Sequence, residues 1–445
     1  MNPSPKRTRK KSLNNKAKIF SWTLFDFANT SYSIVVVTFL FAVYFKKVVV
    51  EDRPIGDFYW SIATSISMII TAVISPVLGA IADHSAGKKR FLLFFSLICI
   101  IATAMLYFIT TGAILAAIIL FVIANVGFES GLVFYDAFLP ELTAPKNYGR
   151  VSGYGFAMGY LGSFVTLAIA YPFIKVGAIR ETFIMSAIFF LIFSLPLFLF
   201  LNDSRKSVER DKSYLKIGIE RVSYSLKHIR ENKNLMFFLL SFFFFIEGVN
   251  TVIFFSGNYA SSTLNFSMNE LIVFFIIVQT TAILGALVFG IISDSIGQRK
   301  ALIISLFIWI FTILFAYFTS SADSAAVVFI ARIFNAGREN VMIYSFYVVG
   351  LLAGSVLGAT QSTSRGLMSK LTPAERKTEF FGFYSFFGKS SAIVGPLVFG
   401  LVSYFTGSQR LAILTICFFF IVGLLLLRNV NEKEPASSSL LNSNG

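Results

Sequence analysis

The chain carries few ionisable residues inside its long apolar stretches, and those few are patterned. Asp26 and Asn29 are three positions apart, which puts them on one face of a helix. Glu247 and Asn250 repeat the pair far down the chain. A carboxylate beside an amide can hold an ammonium group, or accept a proton where burial penalises its charged form. The plainer role is a hydrogen-bonded clamp between two helices. Glu129 and Asp136 lie one heptad apart on nearly one face. Glu129 sits deeper in its apolar run and is the better proton site, whereas Asp136 stands where an acid can cap a helix end. Gln279 either lines a polar path or bonds a neighbouring helix. Two cations complete the set, Arg365 and Lys389. Lys389 lies in Phe387-Gly388-Lys389-Ser390-Ser391, where Gly388 allows a helix or a ligand to come close. There it can bind a carboxylate or neutralise an acid such as Asp26 or Glu129; at a span end, either cation can also reach back to the interface. Of 17 tyrosines, Tyr384 is the one singled out for a pathway role; the other aromatics read as packing.

The usual catalytic and nucleotide signatures are missing. No GxxxxGK[ST] phosphate loop, GxSxG elbow or HExxH pair occurs in the chain, so neither an enzyme nor an ATP-driven machine is expected. Cys99 and Cys417 lie in apolar runs, without a CxxC spacing or a nearby histidine. They read as packing residues, with no disulfide, metal or cofactor expected. His84 and His228 fall in basic segments and read as solvated.

The elements that must hold these side chains follow from composition. Of 445 residues, 56% are hydrophobic, 14% are charged and 53 are phenylalanine. Mean hydropathy is +0.75. Soluble domains carry about a quarter charged residues, and a water-soluble chain of this length divides into several cores, each with a polar surface. This chain has too few polar residues to cover them, and a bilayer removes the need. Twelve apolar stretches approach the roughly 20 residues a spanning helix needs, at about 19–45, 58–82, 91–110, 113–137, 150–173, 182–201, 234–256, 269–293, 301–319, 340–364, 379–404 and 409–428. The fold class expected is an all-α membrane protein of twelve helices in two six-helix bundles. An acid or cation inside such a span is costly against lipid, so each of the candidates above should face the bundle interior with a partner.

The net charge of +15 would suggest nucleic acid in a soluble protein, but its placement points elsewhere. Of the 38 cations, 28 fall in the N-terminal segment and alternate loops, and 8 in the loops between. That is the positive-inside pattern, and it puts both termini in the cytoplasm. The expected organisation is a basic tail at 1–18, a bundle at 19–202, a basic linker at 203–233, a bundle at 234–428 and a disordered tail at 429–445. The apolar run after the basic tail is too long for a cleaved leader and reads as a retained span.

An internal repeat supports the division. One loop reads Gly79-Ala-Ile-Ala-Asp83 and then Lys88-Lys89-Arg90; another reads Gly290-Ile-Ile-Ser-Asp294 and then Arg299-Lys300. Glycine permits close approach of helices, and the aspartate can cap a helix or pair with a cation. Leu142-Thr143, Gly153 and Gly159 recur as Leu371-Thr372, Gly382 and Gly388, each 229 positions on. The same offset sets Asp136 opposite Arg365 and Glu141 opposite Lys370. Acids in one half thus correspond to bases in the other, which suggests a cytoplasmic gate, with Asp136 and Arg365 as its pair. Duplication of this kind is typical of secondary transporters.

With these residues in view, the doubled Gly-x3-Asp-basic turn resembles that of the major facilitator superfamily. Phe25-Asp26-Phe-Ala-Asn29, Phe134-Tyr135-Asp136-Ala-Phe-Leu-Pro140, the stretch Val151 to Gly162, Gln361-Ser-Thr-Ser-Arg365, Glu379-Phe-Phe-Gly-Phe-Tyr384 and Gly395-Pro396 narrow the likeness to its vacuole-effluxer-like branch. The resemblance covers about residues 20–430. The chain departs from the branch pattern in having Asp136 for an asparagine and Glu247 for an aspartate. The resemblance implies twelve helices and alternating access, with the doubled turn (Gly79, Asp83, Lys89, Arg90, Gly290, Asp294, Arg299, Lys300) as a conformational latch. It also implies an amino acid or related metabolite as substrate. Asp26, Asn29, Glu129, Glu247, Asn250, Gln279, Tyr384 and Lys389 are then expected along a substrate or proton path. A proton is the expected coupling ion, the chain is expected to act alone in a bacterial inner membrane, and no nucleic-acid partner is expected. A sensor or scaffold built on a transporter fold is the competing class.

Overall fold

The structure, a computed structural model, describes residues 5–202, 214–227, 233–373, 376–392 and 394–432. His228, most of the linker's basic residues, and the tail from 433 onward lie outside the described residues. The described elements are helices, with no strand among them. Eleven of these helical stretches are long and apolar enough to cross a bilayer.

In chain order, α1 (Pro5–Tyr32) continues through π-helical and α-helical turns to Val49. It is followed by α2 (Ile55–Ile81), α3 (Lys88–Met105), α4 (Ile114–Asp136), α5 (Tyr148–Lys175) and α6 (Glu181–Phe200). After α7 (Tyr214–Lys227) come α8 (Lys233–Thr263), α9 (Met268–Ile296), α10 (Gln298–Thr319), α11 (Ala325–Phe334) and α12 (Arg338–Leu371). The last described helices are α13 (Lys377–Ser391), α14 (Val394–Thr406) and α15 (Leu414–Leu427). The span expected at 379–404 is described as α13 and α14, with residue 393 between them outside the described residues. Gly395-Pro396 lies in the first turn of α14, where a proline's missing N–H is tolerated.

Local chemistry explains several boundaries. Gly87 (φ 77°) and Gly297 (φ 97°) end the paired turns in backbone that only glycine adopts readily. Ser267 and Glu270 form a capping box at the start of α9. Ser324 caps α11 by accepting from Val327 N–H at 3.2 Å. The basic linker holds a helix that its composition did not reveal. Gly218 of α7 lies against Val77 and Ile81 of α2, and Arg221 comes within 3.2 Å of His84 Nδ1. His84 is therefore a contact residue, not the solvated histidine expected. Likewise the tail is ordered at its start, because Glu432 is engaged by three donors described below.

The helices group into two compact units. Unit 1 comprises residues 1–145, 154–227 and 374–386; unit 2 comprises 146–153, 228–373 and 387–445. The start of α5 thus belongs to unit 2, and most of α13 belongs to unit 1.

Unit 1 packs α1 against α6, and α4 against α3 and α2. Its core is aromatic: Trp22 stacks on Tyr135 at 4.6 Å between ring centroids, and Phe25 stacks on the same ring at 4.9 Å. Such pairs contribute about 0.5–1.5 kcal/mol each beyond the area they bury. In unit 2, α9 runs along α12. Gly350, Gly354 and Gly358, spaced four residues apart, make a stripe on α12, and a Cβ on any of them would run into α9. Lipid tails are as apolar as leucine, so helices in a bilayer associate through this kind of close small-residue packing.

Candidate functional site

Each unit buries one of the acid–amide pairs. In unit 1, α1 holds Asp26 (8% exposed) and Asn29 (3% exposed). Tyr135 of α4 donates its hydroxyl to Asp26 Oδ2 at 2.7 Å. The Tyr135 ring is itself fixed by the stack on Trp22, whose Nε1 donates to the Tyr135 carbonyl at 3.1 Å. Gly159 and Gly162 bring α5 close on the same side, so a Cβ on Gly159 would lie 3.8 Å from Asp26 Cβ. The Asn29 Nδ2 has no hydrogen-bond partner among the described residues.

Glu129 is buried in α4 one turn from Asn125. Asn125 donates to Ser67 Oγ at 2.8 Å and accepts from the Tyr32 hydroxyl at 3.3 Å. Gly127 lets α4 approach α3 so closely that its Cβ would sit 2.9 Å from the Phe95 carbonyl oxygen. A polar seam therefore runs from α1 through α4 to α2. Asp136, at the end of α4, is half-buried, and so is Tyr384 in α13, whose ring lies 6.0 Å from Phe381.

In unit 2, Glu247 of α8 is fully buried. One of its carboxylate oxygens accepts from the Gly395 N–H at the start of α14. The other, Oε2, has no hydrogen-bond partner among the described residues. Asn250, one turn on, reaches Ser391 at the end of α13 at 3.5 Å. Lys389 is half-buried two residues before that serine. Gln279 on α9 is half-buried and makes no hydrogen bond among the described residues. Unit 2 also has a partly open apolar pocket among Tyr259, Phe274, Trp309, Phe346 and Phe399; none of the charged candidates lines it. Arg365 donates from Nε to Ser152 Oγ at 3.0 Å and from its terminal nitrogen to the Ser152 carbonyl at 2.9 Å.

The paired turns have parallel geometry. In unit 2, Asp294 accepts the Gly149 N–H at 2.9 Å and the Arg150 N–H at 3.3 Å, so it caps the start of α5. Arg150 Nε adds an ion pair at 2.7 Å. In unit 1, Asp83 accepts the Glu379 N–H at 2.9 Å, at the start of α13. Arg150 and Glu379 are 229 positions apart, so both aspartates cap the same place in the repeat. Gly79 and Gly290 allow the approach: a Cβ on Gly79 would meet the backbone of Thr378 and Glu379, and one on Gly290 would lie 2.9 Å from the Gly149 carbonyl oxygen. The sign of the side chain differs, since Glu379 is an acid. It is neutralised by Arg376 at 2.6 Å.

Several cations fall otherwise than the sequence suggested. Arg90 and Lys300 are exposed, and the partner of Asp294 is Arg150. Lys88 is the buried member of its cluster, with Nζ 2.5 Å from Glu141, 2.9 Å from the Ala137 carbonyl and 4.9 Å from the Phe138 ring centroid. Lys89 donates to the Leu201 carbonyl at 2.6 Å. Lys370 pairs with Glu432 at 2.6 Å, and Glu432 also accepts the Gln298 and Arg299 N–H groups at 3.0 Å each. Arg299 reaches the carbonyls of Leu427 and Arg428. Arg150, Glu379, Glu432 and Tyr135 are thus important contacts that sequence reasoning passed over. The 229-residue offset contained the first two, since it sets them at one repeat position. Nothing local marked Glu432, which lies in a polar tail. Among the described residues, no three histidine, cysteine, aspartate or glutamate side chains cluster as a metal site.

The profile of the vacuole effluxer Atg22-like family matches residues 58–437. The uncharacterised MFS-type transporter YxiO of Bacillus subtilis is 29% identical over 433 residues, covering 94% of this chain and 96% of the relative. Autophagy-related protein 22 of Coccidioides immitis is 24% identical over 431 residues, covering 82% of this chain and 70% of its own. Among solved structures, the major facilitator proton:xylose symporter XylE superposes with a TM-score of 0.68 at 15% identity, over 94% of this chain and 95% of that one. A bacterial homologue of the iron transporter ferroportin, in an outward-facing state, superposes with a TM-score of 0.67 at 13% identity, over 93% and 98%.

Proposed function

The chain belongs to the vacuole effluxer Atg22-like family, and from that premise we propose that it is a proton-coupled carrier of amino acids or closely related metabolites, working by alternating access. Its family and fold make it a multi-pass membrane transporter of the major facilitator type. The observation that carries the finer reading is the recurrence of a buried acid beside an amide in both units, Asp26 with Asn29 and Glu247 with Asn250. Such an acid offers an ammonium group a counter-charge, or takes up a proton. Lys389, two residues before the serine that Asn250 reaches, offers a counter-charge to a carboxyl group. The combination matches a zwitterion. Further support comes from the xylose and fucose neighbours, which are proton symporters by their descriptions.

In this reading Glu129, Asp26 and Glu247 are the candidate proton acceptors, with Gln279 and Tyr384 along the path. Asp136 and Arg365 act in gating. Asp83 and Asp294, with the glycines before them, hold the turns that latch each unit's borrowed helix start. The chain works as a single copy in a bacterial inner membrane, and the lysine and arginine distribution supports placing both termini in the cytoplasm.

Uptake of a mixed labelled amino-acid pool into proteoliposomes, with and without an imposed pH gradient, tests the reading. Accumulation that collapses when the gradient is dissipated is expected. Absence of uptake in both conditions, from protein shown to be folded, removes amino acids as the substrate class.

A further inference from the structure

The stretch between the ninth and tenth expected spans carries a helix of its own. α11 (Ala325–Phe334) is joined to the end of α10 at Thr319 by residues 320–324, and to the start of α12 at Arg338 by residues 335–337. Both of its ends are fixed locally. Ser324 caps the first turn, and Asn335 closes the last in left-handed backbone, φ 48°. Asparagine is one of the few residues besides glycine that accept this conformation. α11 packs on α10 and α12, yet Val327 is its one buried residue. Tethers this short hold the helix close to the level at which the two spans meet the bilayer surface.

What α11 leaves uncovered is apolar. Phe329, Ile333 and Phe334 are 64%, 60% and 74% exposed. Phe329 and Ile333 are four positions apart and share a face. Single exposed apolar residues are ordinary, whereas a group of them marks a surface that something covers. The neighbouring span has the same character. Ile304, Phe307, Phe311, Leu314 and Phe318 are exposed at alternating spacings of three and four along α10, the stripe a span turns to lipid.

The charges fit the same occupant. Asp323 pairs with Arg338 at 3.2 Å, and Glu339 is exposed at the start of α12. Arg332, in the last turn of α11, is exposed and makes no ion pair or side-chain hydrogen bond among the described residues. It follows Phe329 by three positions and precedes Ile333, so it stands at the edge of the apolar face. An arginine placed there lays its stem along acyl chains and brings its guanidinium to a phosphate. A phospholipid supplies both halves of this pattern, apolar chains and an anionic group. A helix of 10 residues is too small to supply by itself the roughly 1,000 Å² that a stable protein interface needs.

We propose that α11 is an interfacial helix whose partner is the phospholipid of the surrounding bilayer, with Phe329, Ile333 and Phe334 among the acyl chains and Arg332 at a phosphate. An amphipathic helix lying in the surface plane is held by its apolar face and by its cations together. α11 thereby anchors the connection between α10 and α12 to the membrane. This contact is independent of the substrate and of the coupling ion.

The test uses full-length protein in vesicles of phosphatidylethanolamine and phosphatidylglycerol, with a nitroxide label on one introduced cysteine at a time. The two native cysteines are buried, and the parent chain gives the labelling background. Ile333→Cys reports on α11, Phe311→Cys on α10 is the lipid reference, and Asp323→Cys is the aqueous one. Oxygen concentrates among acyl chains and a nickel chelate stays in water, so the ratio of their collision rates with the label gives its depth. The ratio at 333 is expected to lie within a few-fold of that at 311 and well above that at 323. A ratio at 333 equal to that at 323 puts the helix in water and overturns the proposal. So does a label at 333 that is shielded from both reagents and broadened by the spins of neighbouring copies, because a second chain then covers the face. Phe329→Cys reports on the same face should Ile333→Cys not yield folded protein. Arg332→Glu, combined with the label, is expected to lower the ratio several-fold; an unchanged ratio overturns the assignment of Arg332 to a phosphate.

Discussion

Asp294 and Arg150 are joined twice, by the Arg150 backbone N–H at 3.3 Å and by its Nε at 2.7 Å, so one carboxylate both caps the first turn of α5 and neutralises the side chain that begins it. The Asp294 side chain is nearly buried, whereas Arg150 is 43% exposed. The cap is therefore the stronger part of the contact, and the ion pair is weakened by water. Asp294→Asn keeps the shape and removes the charge. Charge-assisted bonds contribute about 1.5–3 kcal/mol; at the lower end this is about a tenfold loss in transport rate. Arg150→Ala should cost less. Initial uptake rates at equal protein density check the order; a larger loss for Arg150→Ala contradicts it.

Asp83 at the Glu379 N–H is the counterpart at the same repeat position, but without a basic side chain on the capped residue. Asp83→Asn is accordingly expected to lower transport by a similar factor. Glu379→Gln should be tolerated better than Arg376→Ala. Removing the arginine leaves a 0%-exposed carboxylate without its partner, and breaking a buried pair from one side is the costly direction. Thermal unfolding of the purified variants in detergent decides between them.

Tyr135 is the hydroxyl that holds Asp26. Tyr135→Phe leaves the ring stack on Trp22 and Phe25 intact and takes away one donor to a buried acid. The expected result is a folded protein whose transport depends differently on pH from the parent, while Asp26→Asn loses pH dependence from that group altogether. Uptake measured across a pH series shows it. Superimposable parent and Tyr135→Phe profiles mean that this bond has no part in the transport cycle.

Glu432 binds the N–H groups of Gln298 and Arg299 at the start of α10, and Lys370 at the end of α12. A chain ending at Glu432 is the reference for this contact. A chain ending at Asn431 should melt a few degrees lower, since about 1–2 kcal/mol of capping is lost. Equal melting temperatures for the two truncations show that the contact adds nothing to stability.

The glycine stripe gives a contrast within one unit. Gly354→Leu sets a side chain against the Val278 carbonyl and the Thr281 hydroxyl, and little monodisperse protein should be recovered. Gly400→Ala meets nothing within 4 Å and should behave as the parent. Size-exclusion profiles after extraction separate the two.

Much of the architecture was readable before any coordinates. Hydropathy alone identifies a helical membrane protein, because a backbone in lipid must satisfy its own hydrogen bonds and can do so only as helices or closed barrels. The acids and amides inside the spans were visible for the same reason: few polar residues occur there, so each stands out. The repeat aligned Arg150 with Glu379 and Asp136 with Arg365 through a single constant offset. Hydropathy also concealed things. It ran one span over 379–404, where one described helix ends at Ser391 and the next begins at Val394. It read the linker as a loop, although Tyr214–Lys227 is a helix against α2.

What the sequence determined by itself was the solvent, the element type, the duplicated plan and the shortlist of charged residues, all of which depend on local composition or on a repeated spacing. Only the tertiary structure decided the partners. Asp294 meets Arg150 and not the Arg299-Lys300 that follows it, Lys88 and not Arg90 is buried, Glu141 goes to Lys88, Lys370 goes to a glutamate in the tail, and Glu247 finds a backbone N–H 148 residues away. A charge in an apolar environment must find a counter-charge or a donor within about 3 Å. Which group arrives at that distance is settled by how the helices pack, through glycine contacts such as Gly79 and Gly395, and no window along the chain contains that information.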